Sequence, residues 1–249
     1  MRISDLTLTR SCSEMAAWPE GKFLIDTVNA HSFVVAQKDP DFARALLGAD
    51  ALLPDGISIV KACRWLKTQN APDEKIAGAD LFAYEMDRLN RRGGTCFFLG
   101  SSPSTLALIE EKASEVYPHI RVKSYSPPYK ETFTPEESRA MVDAVHAAQP
   151  DLLWVGMTAP KQEKWLHDHW NELDIRCHAG AIGAVFDFFA GTVERAPAWW
   201  IDHGLEWAYR LLKEPRRTWR RYLVNNPVFC WLVLKEKICS YPNNACSTR

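Results

Sequence analysis

Apolar runs and helically spaced apolar positions alternate along this chain from residue 23 to about residue 190. "FLIDTVN", "ALLP", "TCFFLG", "IRVKSYS", "DLLWVGM" and "IRCHAGA" read as strands, and several are apolar on both faces, as strands inside a parallel sheet are. The segments between them carry helical spacing. "SFVVAQKDPDFARALLG" runs with it to Gly48, followed by "ISIVKACRWLK" and "GADLFAYEMDRLNRRGG", which ends on Arg91, Arg92 and a glycine stop. "SSPSTLALIEEKASEVYP" offers Ser102 as a cap and Pro103 at the first helical position. "TPEESRAMVDAVHAAQ" sets Thr134 and Glu137 at capping-box spacing, and "PKQEKWLHDHW" completes the series. Strand–helix alternation of this kind predicts a Rossmann-like α/β fold, a mostly parallel sheet with helices on both faces. After about residue 195 the pattern turns wholly helical. The expected organisation is an α/β domain over 1–195 and a helical appendage over 196–249.

Composition adds a charge asymmetry. The 249 residues are 47% hydrophobic and 24% charged, with a net charge of −1. Between Leu205 and Lys237, eight basic side chains stand against three acidic ones, so this stretch carries +5 and the remainder −6. Five of the ten tryptophans (Trp199, Trp200, Trp207, Trp219, Trp231) crowd into roughly the last fifth of the chain, two of them just ahead of this stretch. A mildly acidic body with a cationic, tryptophan-rich tail points to an anionic surface or ligand. The seven cysteines, Cys12, Cys63, Cys96, Cys177, Cys230, Cys239 and Cys246, are odd in number and follow no zinc-ligand spacing, which reads as reduced thiols in a cytosolic protein. The N-terminal stretch has no continuous apolar run of the signal-peptide kind. The apolar run "VFCWLVL" is far short of the roughly 20 residues that span a bilayer.

Several chemistries find no motif here. No G-x-G-x-x-G follows a strand, which disfavours a nucleotide-dependent oxidoreductase, and neither a Walker loop nor G-x-S-x-G occurs. His167 and His169 are two apart, too close to share a helix face. Asp39-Pro40-Asp41 interrupts a helical segment and reads as a break, so no metal is expected.

Polar residues instead gather at the predicted carboxyl ends of strands: Thr27 and Asn29, Asp55-Gly56, Gly100-Ser101-Ser102, Gly156 with Pro160-Lys161-Gln162-Glu163, and Asp187. That rim of a parallel sheet is where a nucleotide lies. Each residue has a plainer reading. Asp55 follows an apolar run in "LLPDGISIV" and precedes a helix, so it serves equally as a helix cap. Ser101 and Ser102 cradle a phosphate or merely cap; Gln162 contacts a nucleotide or faces solvent; Lys75 neutralises a phosphate or is one more solvated lysine.

The order and spacing of "TVNAHSF", "LLPDGISIV", "KIAGADLF", "FFLGSSPS", "PDLLWVGMTAPKQEKWL", "GAIGAVFDFFAGTVERAPAWW" and "GLEWAYRLLKEPRRTWRRY" resemble the WecG/TagA/CpsF family of bacterial glycosyltransferases, glycosyltransferase family 26. The likeness runs from about residue 20 to 225. It implies an inverting, metal-independent enzyme without a cofactor. Such an enzyme moves N-acetylmannosamine, its uronic acid or glucose from a UDP-sugar onto an undecaprenyl-diphosphate-linked saccharide in bacterial surface-polysaccharide synthesis.

By the same resemblance, Asp55 matches the family's proposed catalytic base, and Thr27 and Asn29 line its pocket. Lys75 stands where the family has an arginine, which keeps the charge and loses the bidentate fork. Gln162 and Asp187 match positions near the nucleotide or donor sugar, while Gly100 and Ser101 are substrate-binding candidates from their place at a strand end alone. Arg210, Arg217 and Arg220 match arginines of an appendage that docks on the membrane and completes the active site. Read as one helix, the segment sets Arg210, Arg217, Arg220 and Arg221 near a shared face, with Trp207, Leu211 and Leu212 on another. The expected setting is peripheral, on an anionic membrane surface at the inner face of the cytoplasmic membrane, with self-association through the tail's tryptophans and no nucleic acid bound. The competing reading is a non-catalytic nucleotide- or nucleic-acid-binding module with a basic tail.

Overall fold

The computed structural model describes residues 1–239, with the side chains of Ala198, Asp202 and Arg217 also outside the description. Six parallel strands form the sheet: β1 Phe23–Val28, β2 Ala51–Pro54, β3 Gly94–Gly100, β4 Ile120–Tyr125, β5 Leu152–Gly156 and β6 His178–Ala181. Their order across it is β2-β1-β6-β5-β3-β4. The crossover from β1 runs outward to one edge and that from β3 to the opposite edge. Loops after the inner strands therefore diverge and leave a crevice at the carboxyl rim.

Helices cover both faces, as the alternation predicts. They are α1 Ala30–Ala36, α2 Pro40–Gly48, α3 Ile57–Leu66, α4 Gly78–Arg92, α5 Pro103–Val116, α6 Pro135–Ala148, α7 Lys161–His169 and α8 Val185–Ala190. On one face Leu81, Phe82, Ile109 and Phe186 pack against Phe98 and Trp154 of the sheet. On the other, Met141, Val145, Trp165 and Leu166 pack against Leu24, Leu99 and Val155. Each fully buried side chain of this size contributes about 1.5–3 kcal/mol. The small residues of β6 have a steric cause, because a Cβ at Gly180 would come within 2.5 Å of the Trp154 ring.

Local signals specify most helix ends. Ser102 Oγ accepts from the Thr105 amide at 3.1 Å with Pro103 beginning α5, and Thr134 and Glu137 form the reciprocal capping box of α6. Asp39 marks the expected break, since its carboxylate caps α2 by accepting from the Phe42 amide at 3.0 Å. Strand β6 is shorter than expected and starts at His178, the residue that pairs with Phe23 at the start of β1.

The segment from 196 onward departs most from expectation. A single helix gives way to α9 Ala198–Asp202, α10 Glu206–Lys213, α11 Pro215–Trp219, a π-helical turn over Arg220–Val224, and α12 Asn225–Cys239. Glu214 leaves the helical region (φ −129°, ψ 59°) ahead of Pro215, because the residue before a proline is driven from helical geometry. Pro227 has no N–H for the carbonyl four residues back, and the turn ahead of it widens so that Asn225 N–H reaches Arg220 O. One continuous charged helix face therefore does not form.

Helix α12 is tied to the body. Phe229 and Val233 are buried in a third cluster with Phe33, Phe42 and Ile59, and Phe229 meets Phe33 edge-on at 5.6 Å. The Glu236 carboxylate accepts from the Ile3 and Ser4 amides at 2.8 and 2.9 Å. Among the described residues, no helix is long and apolar enough to cross a membrane.

Candidate active site

Strand β2 is buried throughout and ends at Pro54. The next amide, that of Asp55, donates to Val28 O at 2.9 Å, which ties the loop to the end of β1. Gly56 follows with φ +141°, a value L side chains rarely adopt, and it is Gly56 that occupies the N-cap of α3, with no side-chain cap bond. The helix-cap reading of Asp55 is therefore overturned. No hydrogen bond ties its carboxylate to the helix, and the half-buried residue lines a cavity wall instead.

Asn29, at the end of β1, caps α1. Its Oδ1 accepts from the His31 and Ser32 amides at 3.0 and 3.1 Å, while its own amide donates to Ser32 Oγ at 2.7 Å. With its oxygen so committed, the side chain turns Nδ2 to Asp55 Oδ2 at 3.4 Å. Burial raises the Asp55 carboxyl above its ordinary value. The positive charge of Arg221 opposes that shift most, Glu206 adds to it, and the Asn29 hydrogen bond and Lys75 oppose it further.

Asp55 and Asn29 stand between two cavities. The larger, of about 1180 Å³, opens over the carboxyl rim of the sheet, and each strand contributes to its lining at or just beyond that end. The smaller, of about 200 Å³, lies toward α3 and α10 and is lined by Lys75, Arg210 and Arg221.

A model of the Glycosyl transferase WecG/TagA/CpsF family matches residues 1–243. The chain belongs to this family. It is 34% identical over 214 residues to the N-acetylglucosaminyldiphosphoundecaprenol N-acetyl-beta-D-mannosaminyltransferase of Bacillus subtilis (strain 168), covering 86% of this chain and 80% of the relative. To the protein of the same description from Bacillus spizizenii (strain ATCC 23059 / NRRL B-14472 / W23) it is 33% identical over 221 residues, covering 89% and 82%. It is thus a glycosyltransferase of the WecG/TagA/CpsF family, a family of polysaccharide biosynthesis through lipid-linked intermediates.

In this WecG/TagA/CpsF chain, the larger cavity brings together Thr27, Asn29, Asp55, Ser101, Gln162 and Asp187. Ser101 adopts φ +62° at the end of β3, and its carbonyl accepts from Ser126 Oγ at 2.8 Å. Gly100 does not line the cavity; with φ +120°, it lets β3 approach β5, where a Cβ would sit 2.5 Å from Gly156 O. Gln162 is buried rather than solvent-facing, its Oε1 taking the Met157 amide at 3.1 Å and its Nε2 donating to Glu163 Oε1 at 2.9 Å. Lys75 lines only the smaller cavity and lies 3.9 Å from Glu206 Oε2.

Arg210 reaches both cavities and lies over the Phe188 ring at 5.5 Å, and Arg220 lines the larger one. The Arg217 side chain lies outside the described residues. Sequence reasoning put Arg221 on a basic helix face without assigning it to the site, whereas the π turn brings it to both cavities; it missed His31, whose Nδ1 meets Asn225 Nδ2. Burial, then the charge of Arg221, push His31 down to about 4, so it is neutral near neutral pH. The doublet Arg220-Arg221 was a signal for the first; "TVNAH", with a histidine two residues past Asn29, was one for the second.

Proposed function

We propose that this glycosyltransferase moves N-acetylmannosamine, or a hexose of the same class, from a UDP-sugar onto a polyprenyl-diphosphate-linked saccharide with inversion, and that Asp55 is the general base. The observation that carries the reading is the half-buried Asp55 carboxylate, donated to by Asn29 and opposed by Arg221, at the junction of two cavities. Inversion needs one displacement at the anomeric carbon. The acceptor oxygen forms the new bond, the bond to UDP breaks, and the acceptor proton passes to Asp55 within hydrogen-bond reach. Negative charge grows on the departing diphosphate. Arg210, Arg220 and Arg221 are suited to meet it without a metal or cofactor.

The names of the Bacillus relatives support the donor sugar and the lipid-linked N-acetylglucosaminyl acceptor. Thr27, Asn29, Ser101, Gln162 and Asp187 are then donor-side contacts, and Lys75 faces the smaller, cationic cavity. Exposed Trp199, Leu212, Leu223 and Trp231 support peripheral seating on anionic lipid at the inner face of the cytoplasmic membrane. Without lipid, the same side chains favour self-association.

The deciding experiment offers a panel of UDP-sugars with a short polyprenyl-diphosphoryl N-acetylglucosamine acceptor, with and without EDTA, and reads the product by mass spectrometry and its anomeric configuration by NMR. One donor giving an inverted product in EDTA is expected. Transfer from no UDP-sugar, or a retained configuration, overturns the reading.

A further inference from the structure

Asp26 is wholly buried in β1, and neither carboxyl oxygen has a hydrogen-bond partner. Side chains 24, 26 and 28 share one face of the strand. Leu24 on that face packs in the cluster that holds Trp165 and Leu166, so Asp26 looks toward α7. The first turn of α7 carries Glu163, also buried, whose Oε1 takes the Gln162 amide while its Oε2 has no partner. Three carboxyl oxygens are thus without a donor directly behind the cavity wall that Gln162 and Glu163 form.

Two buried carboxyl groups that feel one another do not both ionise, and a bare acceptor in a dry interior is costly. A single retained proton relieves both problems by joining one acid to the other in a charge-assisted bond. We propose that the Asp26 hydroxyl donates to Glu163 Oε2, and that through this bond Asp26 is a positioning residue that holds the Gln162 amide in one orientation at the nucleotide-facing wall. The second half rests on the reading that Gln162 meets the donor nucleotide.

The electrostatics assign the proton. Burial first, and then the charge of Glu163, hold Asp26 well above the carboxylate range. Burial pushes Glu163 up to about 7, while the Gln162 hydrogen bond restrains it. Among the described residues the nearby lysines are engaged elsewhere: Lys164 pairs with Asp39 of α2 at 2.9 Å, and Lys161 donates to Lys130 O at 2.7 Å. Glu163 Oε1 and the Met157 amide then hold Gln162 from two sides, which leaves one Nε2 hydrogen and one Oε1 lone pair with a set direction.

Asp26→Asn keeps a donor toward Glu163 and removes the acid; Asp26→Leu removes both. Infrared spectra recorded well above the Glu163 value, where Glu163 alone would be ionised, are expected to show the carbonyl stretch of a buried protonated acid in the wild type and to lose it in Asp26→Asn. By calorimetry, UDP is expected to bind Asp26→Asn within about twofold of the wild type and Asp26→Leu at least about tenfold more weakly, as the loss of a bond to a charged group implies. Circular dichroism reports whether each variant folds, and Asp26→Ala replaces the leucine variant if that one does not. A protonated-acid band that persists in Asp26→Asn overturns the shared proton. Unchanged UDP affinity in a folded Asp26→Leu overturns the positioning role. A wild type that binds no UDP defeats the nucleotide reading instead, and the spectrum still judges the acid pair.

Discussion

Asn29 and Asp55 are 26 residues apart in the chain and meet side by side, Nδ2 to Oδ2 at 3.4 Å, because β1 and β2 are neighbours and end at the same rim. The helix cap that Asn29 makes with its oxygen is what aims its nitrogen at Asp55. Cap and site are therefore separable by substitution. Asn29→Asp keeps the cap, loses the donor and sets a second carboxylate beside Asp55. Its unfolding midpoint is expected to stay near the wild type while the acidic limb of the kcat/KM profile moves to higher pH. Asn29→Ala loses the cap as well, at about 1 kcal/mol in urea unfolding.

Asp55→Asn is nearly isosteric and cannot take a proton. Single-turnover transfer is expected to slow by about 10²–10⁴-fold, the range of a general base, with UDP affinity within a few fold by calorimetry. A variant that keeps wild-type turnover excludes the base role.

Arg221 acts on two groups of opposite type. It favours the ionised form of Asp55 and disfavours the protonated form of His31, so it lowers both. Removing it raises both. For Arg221→Gln the activity profile, which requires ionised Asp55, is expected to shift its acidic limb upward, and the His31 ring to titrate at higher pH in NMR. Arg221→Lys should recover most of each shift, since it retains the charge.

A Cβ at Gly156 would lie 2.5 Å from the Phe186 ring, which is buried beneath the cavity. Gly156→Ala is expected to cost about 1–3 kcal/mol, as overpacking does, and to lower the melting temperature. An unchanged melting temperature would mean that the ring moves without loss of packing.

Removing residues 205–249 would strip Phe229 and Val233 from the core, so membrane association is better tested at the surface. Leu223 and Trp231 are both exposed. The double variant Leu223→Ser, Trp231→Ser is expected to sediment less with anionic vesicles while its thermal unfolding is unchanged. Equal sedimentation would exclude these side chains from lipid contact.

Strands and most caps were legible because their causes are local. An apolar run bounded by turn residues becomes a buried parallel strand, and Thr134 with Glu137 suffices to start α6. Asp26 was legible in one respect only, as an acid inside the apolar run "FLIDTV", which two-sided burial was bound to enclose. The tail was less legible, because the phase of Arg220 and Arg221 relative to Arg210 depends on a break at Glu214 and a widened turn ahead of Pro227.

From sequence alone came the alternation of strands and helices, the loop after Pro54 that carries Asp55, and the likeness to a glycosyltransferase family. Tertiary structure alone decided which groups face that carboxylate. Asn29, Lys75, Glu206 and Arg221 converge on it only through the strand order and the docking of α12, where His31 meets Asn225 across 194 residues. Periodicity records which face of an element is buried and not what stands opposite it, so the acid pair of Asp26 and Glu163, on β1 and α7, came into view only with the packed sheet.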